Sequence, residues 1–282
     1  MQTVKIGTTI LPAVGIGTWH IGDDPVKRPA EVQAIRSAID YDARVIDTAE
    51  MYGMGRAEEV VKEAIEGYTR DQLYIIDKVL PKNASHHLLE RSLDQSLRRV
   101  GTDYFDLYLL HWRGTIPLAE TVTELERMVA KGKIRSWGVS NFDVADLEEL
   151  WRLPAGQHCV ANEDLYNLDE RGIEFDLLPL MKKHALPLIA YSPLAQADTI
   201  SGRLSSDPLL QELATNHQVS VYQVMLAWTL RHGGVLTIPK AGNPTHAIAN
   251  IEAGDISFTP DELDALAKSF PKPTSKQPLA TI

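Results

Sequence analysis

Cysteine is almost absent. Cys159 is the single one in 282 residues, so no intramolecular disulfide can form and a Cys-rich zinc site is excluded. Long apolar runs are missing too. None approaches the ~20 residues a helix needs to span a bilayer, and the opening MQTVKIGTTI has no signal-peptide apolar region. A cytoplasmic protein with no membrane partner is the expectation. Basic charge is in deficit: 28 Lys and Arg stand against 38 Asp and Glu, for a net charge of −10. Proteins that grip a phosphate backbone carry a basic patch or excess, so no nucleic-acid partner is expected. A small anionic ligand needs only one local cation and stays compatible. Metal-ligand spacing is lacking as well: His86-His87 open a helix, facing solvent, and His158 stands alone. No metal is expected.

What is present builds a core. Hydrophobic residues make up 44% of the chain, enough for a sizeable interior, and α/β barrels of roughly 250 residues form single units. With no low-complexity tract, linker or shift in composition, residues 1–282 read as one domain. Eight short apolar runs recur: GIGTW, RVIDTA, LYIIDKV, FDLYLLHW, IRSWGVS, HCVAN, LPLIAYS and VLTIPK. Each is apolar on both parities, as a strand buried on both faces of a parallel sheet requires. Helical patterns fill the gaps. Leu89, Leu93, Leu97 and Val100 form a stripe that Gly101 stops. Pro117 opens the next helix in its first turn, with Leu118, Val122, Leu125 and Val129 before Gly132. Thr259-Pro260-Asp261-Glu262 is a capping box. The pattern predicts a closed (β/α)₈ barrel, with VKIGTTILPAV as a hairpin lid over its bottom and FPKPTSKQPLATI as an irregular tail.

Two other chemistries fail on spacing. Gly15-Ile16-Gly17 begins a dinucleotide fingerprint, but His20 takes the third glycine's place. Gly138-Val139-Ser140 begins a nucleophile elbow, and Phe142 ends it. The polar residues instead gather at strand ends, where a barrel keeps its catalytic groups: Asp47, Lys78, His111, Ser140-Asn141, Asn162-Glu163, Tyr191-Ser192 and Lys240. A lone tyrosine, with a pKa near ~10, is a poor proton donor at neutral pH, and burial raises that value. A lysine beside it favours the phenolate, and an aspartate holds the lysine charged. Asp47, Tyr52 and Lys78 supply that set, and His111 is free to hydrogen-bond a substrate carbonyl.

At these residues the chain resembles the aldo-keto reductase family. The matching segments are GIGTW at 15–19, DTAEMYG at 47–53, the lysine of IIDKV, LLHW at 109–112, GVSNF at 138–142, AYSPLAQ at 190–196 and IPKAGN at 238–243. The resemblance implies a reductase of small aldehydes, 2-oxoaldehydes or ketones, using NADPH, with NADH a weaker alternative. Tyr52 is then the general acid, Asp47 and Lys78 its tuning pair, and His111 the group that orients the carbonyl. Ser140 and Asn141 would hold the nicotinamide carboxamide, leaving Asp143 to cap the next helix. Tyr191 would stack on the ring, while Lys240 and Asn243 would meet the 2′-phosphate. Further cofactor contacts are implied for Gly17, Thr18, Trp19, Asp47, Ser192, Leu194, Ala241, Gly242, His246 and Asn250. Trp19 and Trp112 would wall the substrate pocket with Tyr52 and His111, and short segments after His111 and Tyr191 would leave it open. Three positions depart from the family pattern. Glu163 replaces the usual glutamine at the third carboxamide contact, and Ala241 and His246 stand where serine and arginine are common. A monomer or weak homo-oligomer is expected. The rival readings are an NADPH-binding regulatory subunit of the same fold with little turnover, and a structural protein of lens-crystallin kind; steady NADPH oxidation with a small aldehyde separates them from an enzyme.

Overall fold

Strands apolar on both parities need cover on both faces, and the fold supplies it. In the computed structural model, which describes residues 1–195 and 202–282, β1 (Thr3–Ile6) and β2 (Thr9–Pro12) form an antiparallel hairpin. The eight runs become β3 (Ile16–Gly17), β4 (Val45–Asp47), β5 (Tyr74–Val79), β6 (Phe105–Leu110), β7 (Ile134–Ser140), β8 (Cys159–Leu165), β9 (Leu188–Tyr191) and β10 (Val235–Thr237), parallel neighbours in chain order. The sheet closes on itself: Val14 bridges Thr237 and Gly17 bridges Lys240, with the Gly17 N–H donating to the Pro239 carbonyl at 3.0 Å. A side chain at position 17 would collide with the Ile238 carbonyl, so glycine is what lets the first and last strands meet. The expected barrel is present.

Around it run α1 (Arg28–Asp40), α2 (Arg56–Ile65), α3 (Leu89–Val100), α4 (Leu118–Ala130), α5 (Val144–Trp151), α6 (Leu177–Lys183), α7 (Gly202–Ser205), α8 (Pro208–His217), α9 (Val221–Leu230), α10 (Pro244–Glu252) and α11 (Pro260–Ser269). The whole α3 stripe is buried, and Gly101 ends the helix in the left-handed region at φ 75°. Thr259 and Glu262 cap α11 reciprocally. Pro117 lies one residue outside α4, as its N-cap rather than in its first turn. His86 and His87 precede α3, and His158 is not alone: its ring meets Glu126 at 3.0 Å.

Two main apolar cores result among the described residues. The larger lies between the strands and helices, and includes Ile46, Leu93, Phe105, Trp137 and Trp228. The smaller fills the barrel, where Val45, Ile76, Leu107, Leu109, Ala161, Ile189 and Leu236 meet Val4, Ile6 and Leu11 of the hairpin. The hairpin therefore plugs the N-terminal end of the barrel, and the C-terminal end is left for the polar groups. No helix among the described residues is long and apolar enough to cross a membrane.

Candidate active site

Side chains alternate across a strand, so the inward parity of the apolar core runs on to the barrel mouth. Val45 is followed inward by Asp47, Ile76 by Lys78, Leu109 by His111, Ala161 by Glu163 and Ile189 by Tyr191. Lys78 is completely buried. Its ammonium donates to both oxygens of Asp47 at 2.6 and 2.7 Å, to the Thr48 carbonyl at 3.1 Å and to the Tyr52 hydroxyl at 3.2 Å. Glu163 Oε1 is 3.4 Å from the same Nζ. Breaking a buried pair of this kind strands a charge, at a cost of about 3–5 kcal/mol.

Tyr52 reaches the cluster from a tight turn, residues 52–55, in which Gly53, Met54 and Gly55 all have positive φ. Trp19 packs on it, and the His111 ring meets it edge-on at 5.8 Å. Burial raises the Tyr52 phenol, and this outweighs the nearby ammonium, which lowers it. The sequence pointed to the lysine as the stronger influence; desolvation wins here, and Tyr52 keeps its proton. Burial lowers Lys78, but the Asp47 and Glu163 carboxyls outweigh it and the ammonium is held well above its usual range. His111 is driven down to about 3 by burial, with Lys78 adding to the effect. The imidazole is therefore neutral, and its Nδ1 is buried without a partner among the described residues. A proton on Nδ1 would be a donor with no acceptor, so the tautomer protonated on Nε2 is favoured.

A second group adjoins the first. Asn141, at φ 56°, donates from Nδ2 to the His111 carbonyl and to Ser140 Oγ, both at 3.1 Å. Its Oδ1 accepts from the Tyr191 hydroxyl at 2.8 Å, and Ser140 Oγ donates to the Glu163 carbonyl at 2.9 Å. Neither residue is needed as a helix cap, because Asp143 and Asp146 form the capping box of α5. Ser192 also has positive φ, and Asn167 Nδ2 donates to its carbonyl at 3.0 Å. Leu194 is half-buried against the outer core. The Thr18 hydroxyl is already engaged with the Asp47 carbonyl at 2.8 Å.

Lys240 sits elsewhere, exposed at the β3–β10 seam with Ala241 buried beside it. Asn243 caps α10, its Oδ1 accepting from the His246 N–H at 2.9 Å. Gly242 is half-exposed and Asn250 buried. Trp112, 38% exposed, adjoins the His111 ring at 4.9 Å. The structure thus gathers Asp47, Tyr52, Lys78, His111 and Glu163 at one point, Ser140, Asn141 and Tyr191 beside them, and Lys240, Asn243 and His246 apart. Of the AYSPLAQ segment, Gln196 lies outside the described residues. No group of three or more His, Cys, Asp or Glu that could hold a metal occurs among the described residues.

Sequence reasoning missed the support behind this site. Asp77, one residue before Lys78, faces outward and is fully buried with Glu58, to which Arg99 is bonded. Polar residues inside apolar strand runs were the available signal.

Comparison with known proteins agrees with the geometry. A sequence model described as the aldo/keto reductase family matches residues 13–270. Methylglyoxal reductase YeaE of Escherichia coli is 46% identical over 97% of this chain and 96% of its own length. Glyoxal reductase of Bacillus subtilis is 32% identical over 94% and 91%. The crystal structure of an aldo-keto reductase from Klebsiella pneumoniae in complex with NADPH superposes with a TM-score of 0.97 at 47% identity, covering 100% of this chain and 99% of that one.

Proposed function

This chain belongs to the aldo/keto reductase family, and on that premise we propose that Tyr52 is the proton donor of an NADPH-dependent reduction of small aldehydes. Methylglyoxal and glyoxal, the compounds named for its relatives, are the substrates we favour. The observation that carries the reading is the buried contact of Tyr52 with the Lys78–Asp47 pair, beside a neutral His111.

The residues present fit the cofactor. Lys240, which has no acidic partner among the described residues, offers a cation just before α10, where backbone N–H groups favour a phosphate. Asn141, Ser140 and Glu163 offer polar groups for a carboxamide. When bound, NADPH would supply the hydride. The chain's own groups do the rest. His111 hydrogen-bonds the carbonyl oxygen and fixes its direction, and Trp19 and Trp112 flank the substrate with apolar surface. Tyr52 holds a proton at its hydroxyl and yields it to that oxygen as negative charge develops there. The Lys78 ammonium, kept charged by Asp47, stabilises the phenolate left behind.

A monomer or weak homo-oligomer working in the cytoplasm as one functional domain completes the proposal. The test is Tyr52→Phe. Reduction of methylglyoxal should fall by ~10² or more, with NADPH still quenching protein fluorescence at near-parent affinity. Turnover within a few-fold of the parent would remove Tyr52 from the mechanism. The substrate itself is tested by comparing kcat/KM across a carbonyl panel with NADPH and NADH.

A further inference from the structure

The cluster at the barrel mouth contains one ammonium and two carboxyl groups, and the two are not treated alike. Asp47 on β4 accepts two short hydrogen bonds from Lys78, at 2.6 and 2.7 Å. Glu163 on β8 approaches the same nitrogen with one oxygen only, at 3.4 Å. Its other oxygen, Oε2, is buried and has no hydrogen-bond partner among the described residues. Both side chains are 2% exposed, so water cannot make up the difference. A carboxylate stripped of water needs its oxygens paired. Asp47 meets that condition and Glu163 does not.

Charge balance points the same way. The titratable groups facing Glu163 are Asp47 on β4, Lys78 on β5, Tyr52 in the turn after β4 and Tyr191 on β9. Lys78 is the one cation in that set. Two ionised carboxylates around it would leave a net negative charge in a dry interior, which is disfavoured.

We infer that Glu163 is a neutral carboxylic acid in the working enzyme and acts as a positioning residue beside the Asp47 carboxylate. This rests on the reading of Tyr52 as proton donor. Burial raises Glu163 well above the carboxylate range; the negative Asp47 adds to this, and Lys78 opposes it. The consequence for Tyr52 is direct. With Glu163 neutral, the Lys78–Asp47 pair is balanced and the ammonium faces the phenol unopposed. An ionised Glu163 holds the phenolic proton more tightly, making Tyr52 a weaker acid. Neutral Glu163 also explains how glutamate can stand where the family has glutamine. A carboxylic acid offers a carbonyl acceptor and one O–H donor, whereas a carboxylate only accepts.

The experiment pairs pH profiles with infrared spectroscopy. In the parent, kcat/KM for methylglyoxal reduction should fall along an alkaline limb. In Glu163→Gln, which cannot ionise, that limb should move up by about one pH unit or more. The parent, with its glutamates ¹³C-labelled at the carboxyl, should show a protonated-carboxyl stretch near neutral pH that Glu163→Gln lacks. An unmoved limb in the folded variant overturns the inference. Should the variant fail to fold, the parent spectrum is followed across the alkaline limb: a glutamic-acid stretch present near neutrality and lost together with kcat/KM supports the proposal, and its absence near neutrality, or its persistence through the limb, overturns it. Tyr52→Phe separates the two claims. If it stays active, the donor assignment itself fails. If it is inactive while the Glu163→Gln profile superimposes on the parent's, only the neutral-glutamate inference falls.

Discussion

Lys240 is exposed at the end of the last barrel strand and has no acidic partner among the described residues. Its neighbours are already occupied. Asn243 Oδ1 caps α10 and its Nδ2 lies 3.0 Å from His246 Nδ1, so both side chains are turned toward each other. Among the described residues that leaves Lys240 as the charge to read a 2′-phosphate, and a charge-assisted contact is worth roughly 1.5–3 kcal/mol. Lys240→Ala should weaken NADPH binding by ~10- to 10²-fold, about 1.4–2.8 kcal/mol, and change NADH binding far less. Dissociation constants for both cofactors decide it; equal losses would mean that Lys240 does not contact the phosphate. The identity of such residues was legible in the sequence because each ends a strand run. Their engagements were not: the Asn243–His246 contact and the Thr18–Asp47 hydrogen bond depend on side-chain directions that spacing does not encode.

Among the elements, the turn that carries Tyr52 is the most constrained. Three successive residues, Gly53, Met54 and Gly55, have φ of 56°, 55° and 94°, a region that L side chains enter at a cost. The turn is held on two sides. In front, Arg56 donates to the Gly22 carbonyl at 3.0 Å and to Asp23 at 2.8 Å. Behind, the Arg99 side chain crosses close over Gly55 and is fastened to buried Glu58. DTAEMYG gave the position of Tyr52 after its strand, but this bracing joins α2, α3 and the loop after β3, segments far apart in the chain. The alternation of strands and helices, by contrast, is local, and it was readable throughout. Gly55→Ala should meet both the φ strain and the fixed Arg99. It should cost about 1–3 kcal/mol of stability and lower kcat by displacing Tyr52 from Lys78. Urea unfolding and turnover measure the two effects; a variant within ~0.5 kcal/mol of the parent with full turnover would show that the turn tolerates a side chain.

At the scale of the whole molecule, one rule, side-chain alternation, explains both what the sequence revealed and what it hid. Inward positions carry an apolar layer and then the catalytic groups, so the site could be found by reading to the end of each strand. Outward positions are mostly apolar, and two fully buried carboxyl groups sit among them. Asp77 lies behind β5, and Asp164 on β8 is fully buried. Asp164 Oδ2 accepts from Asn162 Nδ2 at 2.6 Å, while its Oδ1 has no partner among the described residues. Burial raises Asp164 well above its usual range, and the nearby Asp143 and Asp146 add to it. The sign of the effect on stability follows. The folded state keeps a proton that the unfolded chain loses above its pKa near ~4. The stabilisation is therefore complete below that value and is lost as pH rises toward the folded pKa. His111 acts in the opposite sense: held at about 3 in the fold against ~6.5 unfolded, it costs stability as pH falls through that window. Asp164→Asn removes the first dependence alone, since asparagine keeps an acceptor for Asn162 and cannot ionise. Relative to the parent, the variant should gain stability from pH 5 to pH 8, by up to about 1.4 kcal/mol for each unit that lies below the folded pKa. Urea midpoints at the two pH values test this, and parallel losses in both proteins would show that Asp164 is already ionised in the native barrel.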